Sequence, residues 1–214
     1  MILSLDTTTE FGSLALTGPA GLVEEALLRG SQGFGLVLFD EIAALLKRHG
    51  MSVGDVECFA AASGPGSFTG VRVGLTAVKG LAEATGKPVV AVSNLQAMAV
   101  FGTAALRATV LDARRGDVYA AVYGADLEIV VPEAVVKLEP WLAGLPAAVE
   151  VIEAGTPPRA LAGALGRIAW ARWQAGLGTD PAAVDANYVR RADAEMMWKD
   201  RAVSDSCQGP SGTK

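Results

Sequence analysis

Apolar residues come in short runs along the first hundred positions, and the spacing inside each run decides the element it predicts. Residues 2–5, 12–16 and 22–28 are brief and apolar or alternating, the pattern of strands. Asp6-Thr-Thr-Thr-Glu10 and Gly18-Pro-Ala-Gly21 supply turn chemistry between them. From about 35 to 49 the period lengthens: Leu36, Phe39, Ile42, Ala43 and Leu46 share one helical face, and Gly50 closes it. Residues 58–62 read as a buried strand, 69–85 as a helix and 88–92 as a strand. Ser93-Asn-Leu-Gln96 has the capping-box pattern and predicts the start of another helix.

After Arg107 the order restarts. Strands are predicted at 109–111, 118–122 and 127–131, and helices at 140–144 and 159–175 flank a short strand at 148–152. Each half opens on an apolar strand that ends in an aspartate, Asp6 in the first and Asp112 in the second. No residue-level repeat accompanies this, so the duplication is one of architecture. The expected fold is α/β, with subdomains at 1–106 and 107–203 and a polar, disordered tail at 204–214.

The most informative stretch is 63–83. An apolar strand enters a turn containing Gly64, Pro65, Gly66 and Ser67, which opens directly into a helix. Glycines at 64 and 66 allow positive φ, Pro65 fixes a dihedral between them, and Ser67 or Thr69 can cap the helix. Such a turn can present free backbone N–H groups to an anion; it can equally be structural, or the helix itself can be its purpose. Along that helix Gly70, Gly74, Ala77 and Leu81 form a nearly bare stripe beside Val71, Leu75, Val78 and Ala82. A glycine inside a helix costs roughly 1 kcal/mol relative to alanine, so Gly74 and Gly80 imply another backbone close by. The chain's own core and a partner helix are both open as that neighbour.

Composition narrows the class. With 214 residues, 51% hydrophobic and 19% charged, the chain can build a substantial core. No signal-peptide pattern and no apolar run of membrane-spanning length are present, which predicts a cytoplasmic protein away from membranes. Cys58 falls in a strand and Cys207 in the polar tail, which gives no disulfide framework. The net charge of −5 argues against autonomous nucleic-acid binding. Residues 1–154 hold 10 Lys/Arg against 17 Asp/Glu, and residues 155–214 hold 8 against 6. The arginines of the second segment (Arg159, Arg167, Arg172, Arg190, Arg191, Arg201) read as a solvated helix face before they read as a phosphate or acidic-partner site.

Four blocks together resemble one family. They are Ile2-Leu-Ser-Leu-Asp-Thr-Thr-Thr, Gly64-Pro-Gly-Ser-Phe-Thr-Gly-Val-Arg-Val-Gly, Leu111-Asp-Ala-Arg-Arg-Gly-Asp-Val-Tyr, and more weakly Asn187-Tyr-Val-Arg-Arg. The chain is similar to the TsaB (YeaZ) family of bacterial tRNA threonylcarbamoyladenosine biosynthesis proteins. The first block is shared across the sugar kinase, actin and Hsp70 (ASKHA) superfamily; the second is specific. The motif positions are Gly64, Pro65, Gly66, Ser67, Thr69 and Arg72 in the second block and Asp112, Arg114 and Gly116 in the third. The resemblance implies an ASKHA (actin/ribonuclease H-like) fold of two related subdomains, each a mixed sheet flanked by helices. It also implies a cytoplasmic role in forming t6A at position 37 of tRNA, as a largely non-catalytic partner of the catalytic TsaD subunit.

The residues can be weighed against that implication. Catalytic relatives hold a metal with two histidines on the helix after the third strand. Here that helix begins Ser31-Gln-Gly-Phe with no histidine, Gln32 or Phe34 standing where many TsaB sequences keep one. His49 is the sole histidine, and no metal site is expected. Nor is a base present for a peptidase mechanism. Superfamily members cradle phosphate and hydrated Mg²⁺ in the first hairpin, so Asp6, Thr7, Thr8 and Thr9 are candidates for vestigial, weak ATP or ADP binding; the plain alternative is that they are good turn formers. Asp112 in the matching second turn is expected to be neutralised by Arg114 and Arg115. No cofactor is expected to be required.

The reading is thus of a scaffold or activator subunit that pairs with TsaD, works with a TsaE-type ATPase, dimerises with itself when alone, and meets tRNA only through the complex. An ATP-using transferase or kinase of the same fold is the alternative, and a peptidase the weakest. The partner or dimer interface is expected on the helices at 35–49 and 69–83, packed side by side, with Leu36, Leu38, Phe39, Ile42, Gly70, Val71, Gly74, Leu75 and Val78 on it. Gly74→Leu is then expected to block assembly.

Overall fold

In the computed structural model the residues described are 1–29, 33–155 and 159–189. Gln32, Arg190, Arg191, Arg201, Cys207 and the 204–214 tail lie outside them. The first sheet has the order β3-β2-β1-β4-β5, built from β1 (Ile2–Asp6), β2 (Phe11–Gly18), β3 (Gly21–Arg29), β4 (Cys58–Ala62) and β5 (Val89–Val92). The first three strands run as an antiparallel meander, and β4 and β5 add in parallel. The second sheet has the order β8-β7-β6-β9, from β6 (Leu106–Asp112), β7 (Val118–Gly124), β8 (Ile129–Val136) and β9 (Glu150–Glu153). It repeats the meander and the first parallel addition.

Strand alternation builds two cores from the first sheet. Leu3, Leu5, Leu14, Leu16, Phe59 and Ala61 point to one face, where α1 (Leu38–Arg48) and α2 (Phe68–Thr85) cover them. Ile2, Cys58, Ala60, Ala62, Val90 and Val92 point to the other. There α5 (Ala162–Gln174) lies across all five strands, and α3 (Asn94–Ala99) packs against β6, β7 and β9 of the second sheet. A division at 106/107 falls one residue inside β6 and does not divide the helices: α3 comes from the first span and serves the second sheet, while α5 does the reverse. Small polar residues seat α5. The Ser4 hydroxyl donates to the Ala162 carbonyl at 2.7 Å, and the Ala162 and Gly163 N–H groups donate to Ser13 Oγ (3.0 Å) and Glu25 Oε1 (2.7 Å). A side chain at Gly166 would collide with Thr17.

Two predicted elements differ in detail. The helix expected from residue 35 starts at Leu38, after a 3-10 turn at Phe34–Leu36. The Phe34 ring sits directly over Gly12, where an added Cβ would lie 2.7 Å from it, and that contact is met by a turn. Ser93 does cap α3, accepting from the Leu95 and Gln96 N–H groups at 3.1 and 3.4 Å. Gln96 does not complete the box: its amide donates to the Leu127 carbonyl (2.9 Å) and accepts from Arg172 (2.7 Å). A short helix α4 (Leu138–Ala143) precedes β9.

Candidate functional site

The β1–β2 turn, where the sequence points to phosphate, is turned inward. Asp6 is 1% exposed, and its Oδ1 accepts from the Thr8 N–H (2.9 Å) and the Thr8 hydroxyl (2.6 Å). Burial raises its carboxyl pKa above the ordinary value, opposed by the Thr8 and Asn94 hydrogen bonds. The Thr7 hydroxyl donates to the Gly70 carbonyl at 2.7 Å, and Asn94 Nδ2 donates to Thr8 Oγ1 at 2.6 Å. Thr7 and Thr8 are buried, and Thr9 Oγ1 closes a local turn with Phe11. Asp6, Thr9, Asn94, Glu153 and Arg159 line a cavity of about 20 Å³ between the sheets. That is room for about one water. A nucleotide at Asp6–Thr9 requires the two halves to part.

The Gly64–Gly66 turn is a clasp around that hairpin. Its expected role as an anion cradle needs free N–H groups, and several are engaged. Gly64 donates to Asn94 Oδ1 (3.0 Å), Ser67 donates to the Thr8 carbonyl (2.7 Å), and Gly70 donates to the capping Ser67 hydroxyl (3.3 Å). A Cβ at Gly66 would lie 2.7 Å from Thr8 Cβ. Gly64 does take positive φ, 104°; Gly66 is glycine because Thr8 passes so close. Ser67, not Thr69, is the cap of α2.

The same approach explains the bare stripe of α2. A side chain on Gly70 would run into the Thr7 carbonyl, and one on Gly74 would come within 2.6 Å of Thr7 Oγ1. The neighbour is the chain's own turn. Gly80 faces open space, so it marks no close backbone. Of the nine expected interface positions, Leu38, Ile42, Gly70, Val71, Gly74, Leu75 and Val78 are buried within the chain. The correction has a simple cause: α1 and α2 cover the sheet with the faces that carry these residues, and the leucines and valines fill the core between. Leu36 and Phe39 remain outward, 71% and 55% exposed, and Phe68 joins them at 50%.

Phe68 opens α2 and belongs to a second cluster. The Arg72 guanidinium lies 3.8 Å from the centre of its ring. The Tyr188 ring is 5.8 Å from it, and Arg72 Nε donates to the Tyr188 hydroxyl at 3.3 Å. The second and fourth sequence blocks thus meet on the surface. Phe68 was legible only as a motif letter, and Glu133, Asn94 and Asn187 gave no signal of their joint placement.

At the second turn, Asp112 Oδ1 accepts from the Arg114 N–H at 2.8 Å. Where neutralisation by Arg114 and Arg115 is expected, the contact seen is with the Arg114 backbone, which suits residues 114–116, all at positive φ. Asp117 pairs with Lys137 at 2.7 Å. His49 Nε2 contacts Glu24 Oε2 at 2.7 Å, and Arg48 joins the same carboxylate on the surface. Among the described residues no group of three or more His, Cys, Asp or Glu side chains is placed to hold a metal.

Against known proteins, the TsaD family, described as tRNA N6-adenosine threonylcarbamoyltransferase, matches residues 34–167. A Bacillus subtilis protein named tRNA threonylcarbamoyladenosine biosynthesis protein TsaB is 34% identical over 146 residues, 66% of this chain and 64% of that protein. Its Haemophilus influenzae namesake is 39% identical over 124 residues, 55% of this chain and 51% of that protein. The chain thus spans about half to two thirds of these relatives' length. A Pseudomonas aeruginosa structure, described as an uncharacterized protein with similarity to peptidase YeaZ, superposes with a TM-score of 0.76 at 29% identity, over 88% of this chain and 99% of that one. With the two mixed sheets, this likeness makes the fold ASKHA-type.

Proposed function

The chain belongs to the family of TsaD, tRNA N6-adenosine threonylcarbamoyltransferase, on its TsaB (YeaZ) branch, and from that premise we propose that it serves t6A formation as a non-catalytic subunit that docks on a TsaD-type partner. One observation carries the reading. The hairpin that would hold phosphate is clamped shut by α2 and the Gly64–Gly66 clasp, while Leu36, Phe39 and Phe68 stay exposed. With its hydroxyls bonded inward and a cleft with room for about one water, the hairpin as folded here offers no open phosphate site. Large exposed apolar side chains at helix starts suit a protein interface.

The subdomain division at 106/107, the TsaE-type ATPase, self-association in the absence of TsaD, contact with tRNA only through the complex, a cytoplasmic setting and independence from nucleotide belong to the same proposal. No helix among the described residues is long and apolar enough to cross a membrane. The test is to mix the chain with the TsaD-type subunit of the same organism and follow mass by light scattering after gel filtration. A complex of summed mass supports the reading; two unchanged species at micromolar concentration overturn it.

A further inference from the structure

The exposed Phe68–Arg72–Tyr188 cluster rests on a residue of the second sheet. Tyr188 follows Asn187, whose N–H donates to the Ser63 carbonyl at 2.8 Å and whose Nδ2 donates to Glu133 Oε2 at 2.6 Å. The other carboxylate oxygen of Glu133 accepts from the Tyr123 hydroxyl at 2.6 Å and from the Ser93 hydroxyl. Three elements therefore meet on one carboxylate: β7 through Tyr123, the cap of α3 through Ser93, and the C-terminal segment through Asn187. The Tyr123 ring is 1% exposed, and burial with the Glu133 contact pushes its pKa well above the ordinary tyrosine value, so it remains a donor.

What the carboxylate holds in place is chemically specific. Arg72 is exposed, stacked on Phe68 and hydrogen-bonded to Tyr188, and makes no ion pair among the described residues. A guanidinium held over an aromatic ring, its Nε engaged by Tyr188 and its two terminal nitrogens without a hydrogen bond among the described residues, suits a carboxylate. Phe68 and Tyr188, each about half exposed, give the apolar rim that such a contact needs in order to exclude water.

We infer that Phe68, Arg72 and Tyr188 form a docking point for an acidic side chain of a protein partner, and that Glu133 is the positioning residue that keeps Tyr188 in it. The inference rests on the partner-subunit reading above. It also ties the second sheet to a surface on the first, since loosening Glu133 releases the segment that carries Tyr188.

The experiment titrates the full chain with the TsaD-type subunit at low and moderate salt. Arg72→Gln is expected to weaken binding about tenfold at low salt and to flatten its salt dependence. Glu133→Gln places an amide NH₂ either against the Asn187 NH₂ or against the Tyr123 and Ser93 hydroxyls, which must then turn their protons elsewhere, so it is expected to weaken binding to a similar degree. Asn187→Asp sets two carboxylates together and is expected to do the same. Combined, Glu133→Gln and Asn187→Asp exchange donor and acceptor, and binding is expected to return. Amide hydrogen exchange at residue 187, whose N–H donates to the Ser63 carbonyl, should accelerate relative to its intrinsic rate in each of these two single variants of the free chain and slow again in the pair, which simple loss of stability would not produce. Wild-type affinity and salt slope in Arg72→Gln overturn the docking point while leaving the partner reading intact, and a double variant as weak and as fast-exchanging as the singles overturns the role of Glu133. If the wild-type chain does not bind, the partner reading and the docking point both fall, and the exchange measurement still decides Glu133.

Discussion

The Thr7 hydroxyl and the Gly70 carbonyl meet at 2.7 Å, joining residues 63 apart in sequence and pressing a strand-end turn onto the backbone of a helix. The same close approach of the turn accounts for glycine at 70 and 74, and with the Asn94 and Ser67 bonds to Thr8 it sets the hairpin inward.

Substitutions along α2 should therefore separate by what lies opposite. A methyl at Gly70 meets backbone, which cannot rotate away, whereas one at Gly74 meets the Thr7 side chain. Overpacking of this kind costs about 1–3 kcal/mol and at times more. Gly70→Ala should lose the most stability, Gly74→Ala less, and Gly80→Ala should gain up to about 1 kcal/mol, because nothing faces it and alanine is the better helix former. Urea denaturation of the three variants gives the order; equal losses at 70 and 80 would show that the Thr7 contact does not constrain the helix. Gly74→Leu, by the same logic, disturbs the fold before it reaches any partner, so it cannot report on assembly.

Much of the fold was legible because its signals are local. Short apolar or alternating runs gave the strands of the first sheet, and Gly50, read as the end of α1, does lie in left-handed geometry. The strand β8 was cut short at 131, since Pro132 interrupts its pattern and Ile129 and Val130 are exposed on a sheet edge. Glu133 was hidden by that. The candidate site was legible as motifs but not as roles: a glycine that approaches a partner helix and one that approaches its own turn look the same in sequence. Apolar periodicity marks the buried face of α2, which is why Val71, Leu75 and Val78 stood out; over 35–49 it groups Leu36, Phe39 and Ala43 with Ile42 and Leu46, whereas the buried face of α1 carries Leu38, Ile42, Leu45 and Leu46 and leaves Leu36 and Phe39 outside.

Asp6 should make stability depend on pH in a recognisable direction. Its folded pKa is raised above its unfolded value by burial, so the folded chain holds the proton more tightly, and the stability this adds is lost as pH rises through the folded pKa. Asp6→Asn keeps an acceptor for Thr8 and removes the buried charge. Stability of the variant relative to wild type should thus improve from pH 4.5 to pH 7.5. The surface carboxylates Glu24, Asp55 and Glu150, whose pKa values are lowered by their hydrogen-bond partners, act in the opposite sense but are common to both proteins and cancel. A difference between variant and wild type that stays flat across this range, measured by denaturant unfolding, would count against a strained Asp6.

Cys58 should be chemically silent in the native chain. It is wholly buried in β4, and burial pushes its thiol up to about 12, far from the thiolate form that reacts. In a Cys207→Ser background, a thiol-specific disulfide reagent at pH 8 should give no colour until denaturant is added. Rapid native labelling would mean that β4 opens readily.

The decisive functional comparison sets the surface against the cleft. Leu36→Asp and Phe39→Asp alter residues that are 71% and 55% exposed, so melting temperature should move little, within the range usual for surface changes. If the outer surface of this face is the working part, each should cut heterodimer formation with the TsaD-type subunit by tenfold or more, because burying a carboxylate in an apolar interface leaves its charge without water or partner. Reconstituted t6A formation should fall with it. Asp6→Asn, which keeps the Thr8 hydrogen bonds and the hairpin's shape, should leave both readouts within about twofold of wild type. The contrast depends on geometry already visible, since Asp6 is sealed behind Thr8 and Asn94 while Leu36 and Phe39 face outward. Loss of t6A formation in Asp6→Asn with an intact heterodimer would place the chemistry in the cleft, and undiminished binding by Leu36→Asp and Phe39→Asp would move the interface elsewhere on the chain.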